Sequence, residues 1–191
     1  ADALEKGRDP VAGILSGDPG KSPDADYATL RNALSKAGYE LRDLAPGAPV
    51  DSDVSALFVL GVDDLDETAV GRIDARLRSG GAAFFAVRGV VVDPAAELAA
   101  RAVGENPALD LLSAYGVEVR RELALDGLSL SVPFRTETGT GAAAIRYVKY
   151  PHWITVDGRY VDRTHPVTRK FGGLDLFWPS PLALSARPGL T

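Results

Sequence analysis

The chain has 191 residues, 46% hydrophobic and 25% charged, an ordinary globular balance; a chain of this size buries roughly 70% of its unfolded surface, enough for one core. It contains no cysteine and only two histidines, which excludes disulfides, thiolate metal sites, cysteine nucleophiles and a histidine-rich metal centre. The formal net charge of −5, with basic residues scattered along the chain, argues against nucleic acid as a partner and against tight docking on anionic lipid.

Residues 11–17 (VAGILSG) form a short apolar run behind Pro10, which predicts a buried strand. Residues 18–24 are a Pro/Gly-rich loop. Tyr27, Leu30, Leu34 and Ala37 share one helical face, closed by Gly38. Residues 40–44 alternate as a half-exposed strand would, and 46–49 are a turn-rich connector. Residues 54–61 (VSALFVLG) carry the strongest strand pattern, that of a central parallel strand covered on both faces. Asp66 is placed to cap a helix with Val70, Ile73 and Leu77 as its buried stripe, Leu65 stapling to Val70, and Gly80-Gly81 as its stop. Residues 82–87 (AAFFAV) predict another buried strand. Apolar runs separated by amphipathic helices predict βαβ units, and hence a parallel sheet with right-handed crossovers.

Beyond Gly89 the pattern loosens. Residues 90–93 lead into a helical signal at 95–103. Asn106-Pro107 reads as N-cap plus first-turn proline, with Leu109 and Leu112 on one face and Gly116 at the end. Residues 117–130 alternate well enough for one or two strands. The stretch 133–144 is Thr/Gly-rich and expected to be mobile, whereas 145–156 (IRYVKYPHWITV) is β-prone and aromatic. Asp157-Gly158 predicts a hairpin turn. Residues 164–168 suggest a turn or helix start, and 174–178 form a final apolar run before Pro179 and Pro181. The domain reading is an α/β parallel-sheet core over residues 1–116 and a β-rich part over 117–191 that completes or extends it. No apolar run approaches the ~20 residues of a membrane-spanning helix, and no signal peptide is visible.

Several segments invite a chemical reading. A hydrolase of the amidotransferase kind needs a nucleophile on a sharp strand-to-helix turn and a histidine in reach. The matching turn here is Arg88-Gly89, which supplies none. Ser16, before Gly17 at the end of the first strand, is the remaining serine candidate. Asp63, Asp64 and Asp66 are the densest acidic cluster; they suit a divalent cation, although helix capping is the ordinary reading. Gly17-Asp18-Pro19-Gly20-Lys21-Ser22 matches the end of a phosphate-binding loop, yet Leu15 stands where its first glycine belongs, and Pro19 and Pro23 remove backbone donors. The carboxyl ends of parallel strands are where open α/β sheets bind ligands. Ser16, Gly17, Lys21, Asp63, Asp64 and Arg88 are therefore the candidate ligand-binding residues. His152 and His165 lie far apart in sequence; with a carboxylate such a pair could bind zinc, although a catalytic site usually needs three protein ligands; His165 precedes Pro166 and suits a turn contact. His152, Trp153, Phe177 and Trp178 pack an aromatic strand or, where exposed, mark a partner surface.

The same segments, in order, resemble one family. Residues 34–41 (LSKAGYEL), 54–87 (VSALFVLGVDDLDETAVGRIDARLRSGGAAFFAV), 106–119 (NPALDLLSAYGVEV), 150–156 (YPHWITV) and 165–182 (HPVTRKFGGLDLFWPSPL) are similar to the extracytoplasmic domain of GldG-like auxiliary proteins of ABC-type transport systems, of the gliding-motility kind. The resemblance implies a flavodoxin-like or class I glutamine amidotransferase-like parallel sheet flanked by helices, with a β-rich C-terminal extension. It further implies a membrane tether beside an ABC permease and no catalytic residues. Two departures accompany it: the chain carries no membrane helix, and residues 189–191 stop where the family's next strand is expected. Methionine is absent, including at position 1, so the chain reads as a mature product or an excised piece.

The resulting expectation is a non-catalytic, extracytoplasmic auxiliary domain that binds or assembles a transport system, without catalytic residues, metal or cofactor. Its expected partner is a permease or related membrane subunit, with a homo-oligomer as a further reading. The alternatives are a small-molecule or carbohydrate-binding domain using the carboxyl ends of the strands and, behind it, an amidotransferase-like hydrolase.

Overall fold

The computed structural model describes residues 9–137 and 143–186. Strands β1 (Val11–Ser16), β2 (Glu40–Leu44), β3 (Val54–Leu60) and β4 (Ala82–Ala86) form a four-stranded parallel sheet in the order β2-β1-β3-β4. The apolar runs of β1 and β3 lie side by side at its centre, where Ala12, Ile14, Val54, Leu57 and Val59 are completely buried. At about 25 cal/mol per Å2 of apolar surface, these paired strands supply much of the driving force for folding.

Helices α1 (Pro23–Asp26) and α2 (Ala28–Lys36) lead from β1 to β2, and α3 (Glu67–Arg78) leads from β3 to β4. Asp66 caps α3, its carboxylate accepting the Ala69 N–H at 2.8 Å, and the helix buries Ala69, Val70 and Ile73. Helix α4 (Pro107–Ala114) starts at Asn106, whose side-chain oxygen accepts from the N–H groups of Ala108 and Leu109 at 3.0 and 3.2 Å. The Asn106 amide also donates to the Val62 carbonyl at 3.1 Å, so this buried polar side chain is satisfied at both ends. The Tyr115 hydroxyl donates to Asp74 at 2.9 Å and ties the end of α4 to α3.

The described chain divides into two compact units. The first runs through Arg88, then takes up Val103–Val119 and the segment from Leu182. It holds the parallel sheet, the helices, and an antiparallel pair of β7 (Val117–Val119) with β11 (Leu182–Leu184). The second comprises Gly89–Ala102 and Arg120–Pro181. In it β5 (Val90–Asp93) pairs with β6 (Ala99–Ala102), and β8 (Ser129–Glu137), β9 (Ala143–Asp157) and β10 (Gly173–Phe177) form an antiparallel sheet in the order β10-β9-β8. No described helix is long and apolar enough to cross a membrane.

Four expectations change. The helical signal at 95–103 is overridden: the Asp93 carboxylate accepts the Ala95 N–H at 2.9 Å, Glu97 and Leu98 take left-handed φ values of 51° and 63°, and the chain reverses into β6. Alanine's helix preference is worth too little per residue to resist such a turn. Strand β4 is an edge strand rather than a buried one; its residues alternate, and Phe84 is 54% exposed. Asp157-Gly158 does not form a tight hairpin. The Asp157 carboxylate accepts the Arg159 N–H at 2.8 Å, capping a 3-10 turn at Gly158–Tyr160, and the chain returns only at Gly173, opposite Asp157. Strand β11 lay beyond the last predicted apolar run. Of the stretch expected to be mobile, residues 133–137 and 143–144 belong to β8 and β9, and 138–142 lie outside the described residues, as do 189–191.

Candidate functional site

In the first unit the chain direction reverses between β1, which proceeds to β2, and β3, which proceeds to β4 on the other side. Ligands of open α/β sheets bind outside the carboxyl ends of strands at such a point. The strand order brings the ends of β1, β3 and β4 together here. Gly17 follows β1, accepts the Asp64 N–H on its carbonyl at 2.7 Å, and donates to the Leu60 carbonyl at 2.9 Å. Gly61 follows β3 and donates to the Ala86 carbonyl at 2.9 Å. The two glycines nearly touch: a Cβ on Gly17 would stand 2.6 Å from the Gly61 carbonyl oxygen.

The space above them is filled by Asp18. A Cβ on Gly61, whose φ is +76°, would come within 2.0 Å of Asp18 Oδ1. Arg88, just past β4, reaches across the edge. Its Nη1 lies 3.2 Å from Asp18 Oδ2 and its Nη2 donates to Asp63 Oδ2 at 2.7 Å. The Asp18 side chain is only 12% exposed. Burial pushes its carboxyl above the ordinary value; Arg88 pulls the other way and Asp63 adds to the rise. Burial also works against the Arg88 charge, but its bonds to Asp63 and Asp18 outweigh that and hold its pKa above the ordinary value. Burial and the neighbouring Asp18 charge raise the Tyr27 phenol. Three buried polar atoms in this knot have no hydrogen-bond partner: Ser16 Oγ, Asp18 Oδ1 and Arg88 Nε.

Of the residues singled out by sequence, Ser16, Gly17, Asp63, Asp64 and Arg88 converge at this edge. Lys21 turns to Asp26, pairing at 2.6 Å while Asp26 also accepts the Ser22 N–H at 2.8 Å. With no hydrogen-bond partner, the Ser16 hydroxyl has no base in place to take its proton. The two carboxylates that face each other are bridged by a guanidinium, and no group of three or more His, Cys, Asp or Glu suited to a metal ion occurs among the described residues. The residue missed by sequence reasoning is Asp18. Its position directly after the glycine that ends β1 was the available signal.

In the second unit, β9 and β10 gather the aromatic residues. Trp153 meets Phe177, Trp178 and Tyr150 edge-on, with ring centroids 4.9, 5.5 and 5.6 Å apart. Such contacts add about 0.5–1.5 kcal/mol each beyond the area they bury. Trp178 Nε1 donates to the Tyr150 hydroxyl at 3.2 Å, and the His152 carbonyl accepts the Trp178 N–H at 2.9 Å. His152 Nδ1 lies 2.8 Å from the Ala124 carbonyl, which can only accept, so the proton sits on Nδ1. Trp178 holds a left-handed φ of 52°, a strained conformation for a bulky residue, where the chain leaves β10. The rings thus pack mainly on one another, with Phe177 at the exposed rim and Trp153 Nε1 buried without a partner.

No curated protein matches the chain. Over residues 9–191 the chain matches the model of the family described as ABC-type uncharacterized transport system, and it belongs to that family of auxiliary components.

Proposed function

We propose that the chain is a non-catalytic, extracytoplasmic auxiliary domain that helps assemble its ABC-type transport system by surface contact with a membrane subunit, the permease. The observation that carries this reading is the state of the carboxyl edge. Where an α/β sheet ordinarily receives a ligand, the chain seats its own Asp18 carboxylate and locks it with Arg88. The nearest hydroxyl, Ser16, has no base. Recognition then falls to outer surfaces, consistent with an auxiliary role in transport. The parallel order β2-β1-β3-β4 supports a flavodoxin-like reading of the first unit.

The test is co-purification. A tagged chain produced together with its transport system, extracted in detergent, is expected to bring down the permease. Recovery of the chain alone, from cells in which the other subunits are abundant, contradicts the proposal.

A specific observation favours a second reading, a small polar ligand at the same edge. Ser16 Oγ, Asp18 Oδ1 and Arg88 Nε are polar groups whose hydrogen-bonding capacity is unused. Isothermal calorimetry with inorganic phosphate, nucleotides and simple sugars separates the readings: a heat abolished by Arg88→Met favours the ligand, and its absence favours the sealed edge.

A further inference from the structure

The far part of the β8–β9 hairpin is a two-stranded ribbon. Strand β10 pairs with β9 only from Trp153 to Asp157, whereas β8 pairs with β9 much farther along. The register is Arg135 with Ile145, Phe134 with Arg146, Pro133 with Tyr147, Val132 with Val148, and Ser131 with Lys149. Successive rungs face opposite sides of a strand pair. One side therefore carries Ile145, Pro133 and Tyr147 between Arg135 at one end and Lys149 at the other. The opposite side carries Phe134, Val132 and Val148 beside Arg146.

These side chains are open to solvent. Tyr147 is 70% exposed, Ile145 64%, Phe134 43% and Val148 42%. Within residues 129–135 and 144–152 the charged residues are Arg135, Arg146 and Lys149, and none is acidic. Neither arginine makes an ion pair among the described residues. The −5 charge of the whole chain thus conceals a ribbon with a net positive charge, to whose three cations β8 adds one acidic residue, Glu137, at its far end. A two-stranded ribbon with apolar groups on both sides is marginal in water.

We infer that this ribbon docks on an anionic bilayer surface, with its cations on lipid phosphates and Tyr147, Ile145, Phe134 and Val148 in the headgroup layer. Two features select lipid over a protein partner. Apolar and cationic groups occur on both sides of the ribbon; a protein surface covers one side, whereas the interfacial layer surrounds both. Cations also stand at the two ends of the apolar patch on one side: Arg135, and Lys149, whose exposed ammonium donates to the Gly127 carbonyl at 3.2 Å and keeps further donors for phosphate while the patch enters. The inference rests on the auxiliary-transport reading only in that a membrane-bound system holds the chain beside a bilayer.

The experiment is co-sedimentation of the full chain with phosphatidylcholine vesicles, with and without phosphatidylglycerol, and needs no transport subunit. Its failure is therefore distinct from a failure of the co-purification test in detergent. Binding to phosphatidylglycerol vesicles is expected at low salt, weakening as salt is raised to about 0.5 M. The triple variant Arg135→Glu, Arg146→Glu, Lys149→Glu should lose roughly a hundredfold or more in affinity, and Ile145→Ser with Tyr147→Ser roughly tenfold. Unchanged circular dichroism melts confirm that the variants fold. The inference is overturned by no binding at low salt, or by binding that the substitutions leave intact. It is also overturned if the triple variant binds vesicles normally but no longer co-purifies with the permease, which assigns the ribbon to protein contact.

Discussion

The two units keep their strands ordered by opposite means. In the first, parallel strands rich in Val, Ile and Leu form the centre, and nearly every buried apolar side chain described belongs there; Val90 is the sole counterpart in the second. In the second, order comes from long antiparallel pairing and a knot of edge-on aromatic rings. The large exposed apolar residues divide the other way: all of them but Phe84, Leu182 and Leu184 lie in the second unit. A region that buries little and exposes much is suited to recognition, while one that closes its own ligand edge is suited to support.

The sharpest way to break this comparison is to remove equivalent side chains from each unit. Leu57→Ala in β3 deletes a completely buried side chain and should cost about 2–5 kcal/mol in urea unfolding. Val148→Ala in β9 should cost less than about 0.5 kcal/mol. Equal losses would erase the distinction.

The closed edge offers the next test. Gly61→Ala places a methyl group against Asp18 Oδ1 and forces a side chain onto a φ of +76°. A loss of about 1–3 kcal/mol is expected by the same measurement, with calorimetric screening showing whether the displaced Asp18 opens the edge to phosphate.

A pH series sharpens the picture further. The folded state holds the Asp18 proton more tightly than the unfolded chain does, chiefly because of burial. As pH rises from the ordinary carboxyl value through the raised one, folding must take up a proton that the unfolded chain has already lost, and stability declines. Asp18→Asn should flatten the decline, read as urea midpoints across that window; an identical slope in both proteins would contradict a buried, proton-retaining Asp18. The smallest effect belongs to Lys21→Ala. Its ammonium forms an exposed pair with Asp26, so the unfolding midpoint and any phosphate heat should stay unchanged.

Much of the first unit was legible in sequence because its signals are local. The apolar runs of β1 and β3, the Asp66 cap and the Asn106-Pro107 start all depend on neighbours within a few residues. The β5–β6 reversal was hidden because Glu97 and Leu98, not glycines, take the left-handed turn positions. Strand β11 was hidden because its reason to exist is β7, far away along the chain. At the candidate site, Ser16, Gly17, Asp63 and Arg88 were visible as strand ends. The decisive contact was not: Asp18 matters through Arg88, and a pairing between distant residues leaves no periodic trace. The exposed ribbon was likewise averaged away in the net charge.

Hydrogen exchange, read by mass spectrometry on the chain alone and within its transport complex in a membrane, tests the division of labour most directly. Protection gained on assembly should appear in β8, β9 or β10, while residues 16–21 and 61–64 exchange as before. Protection gained at those strand ends, with none in the antiparallel sheet, would contradict the account.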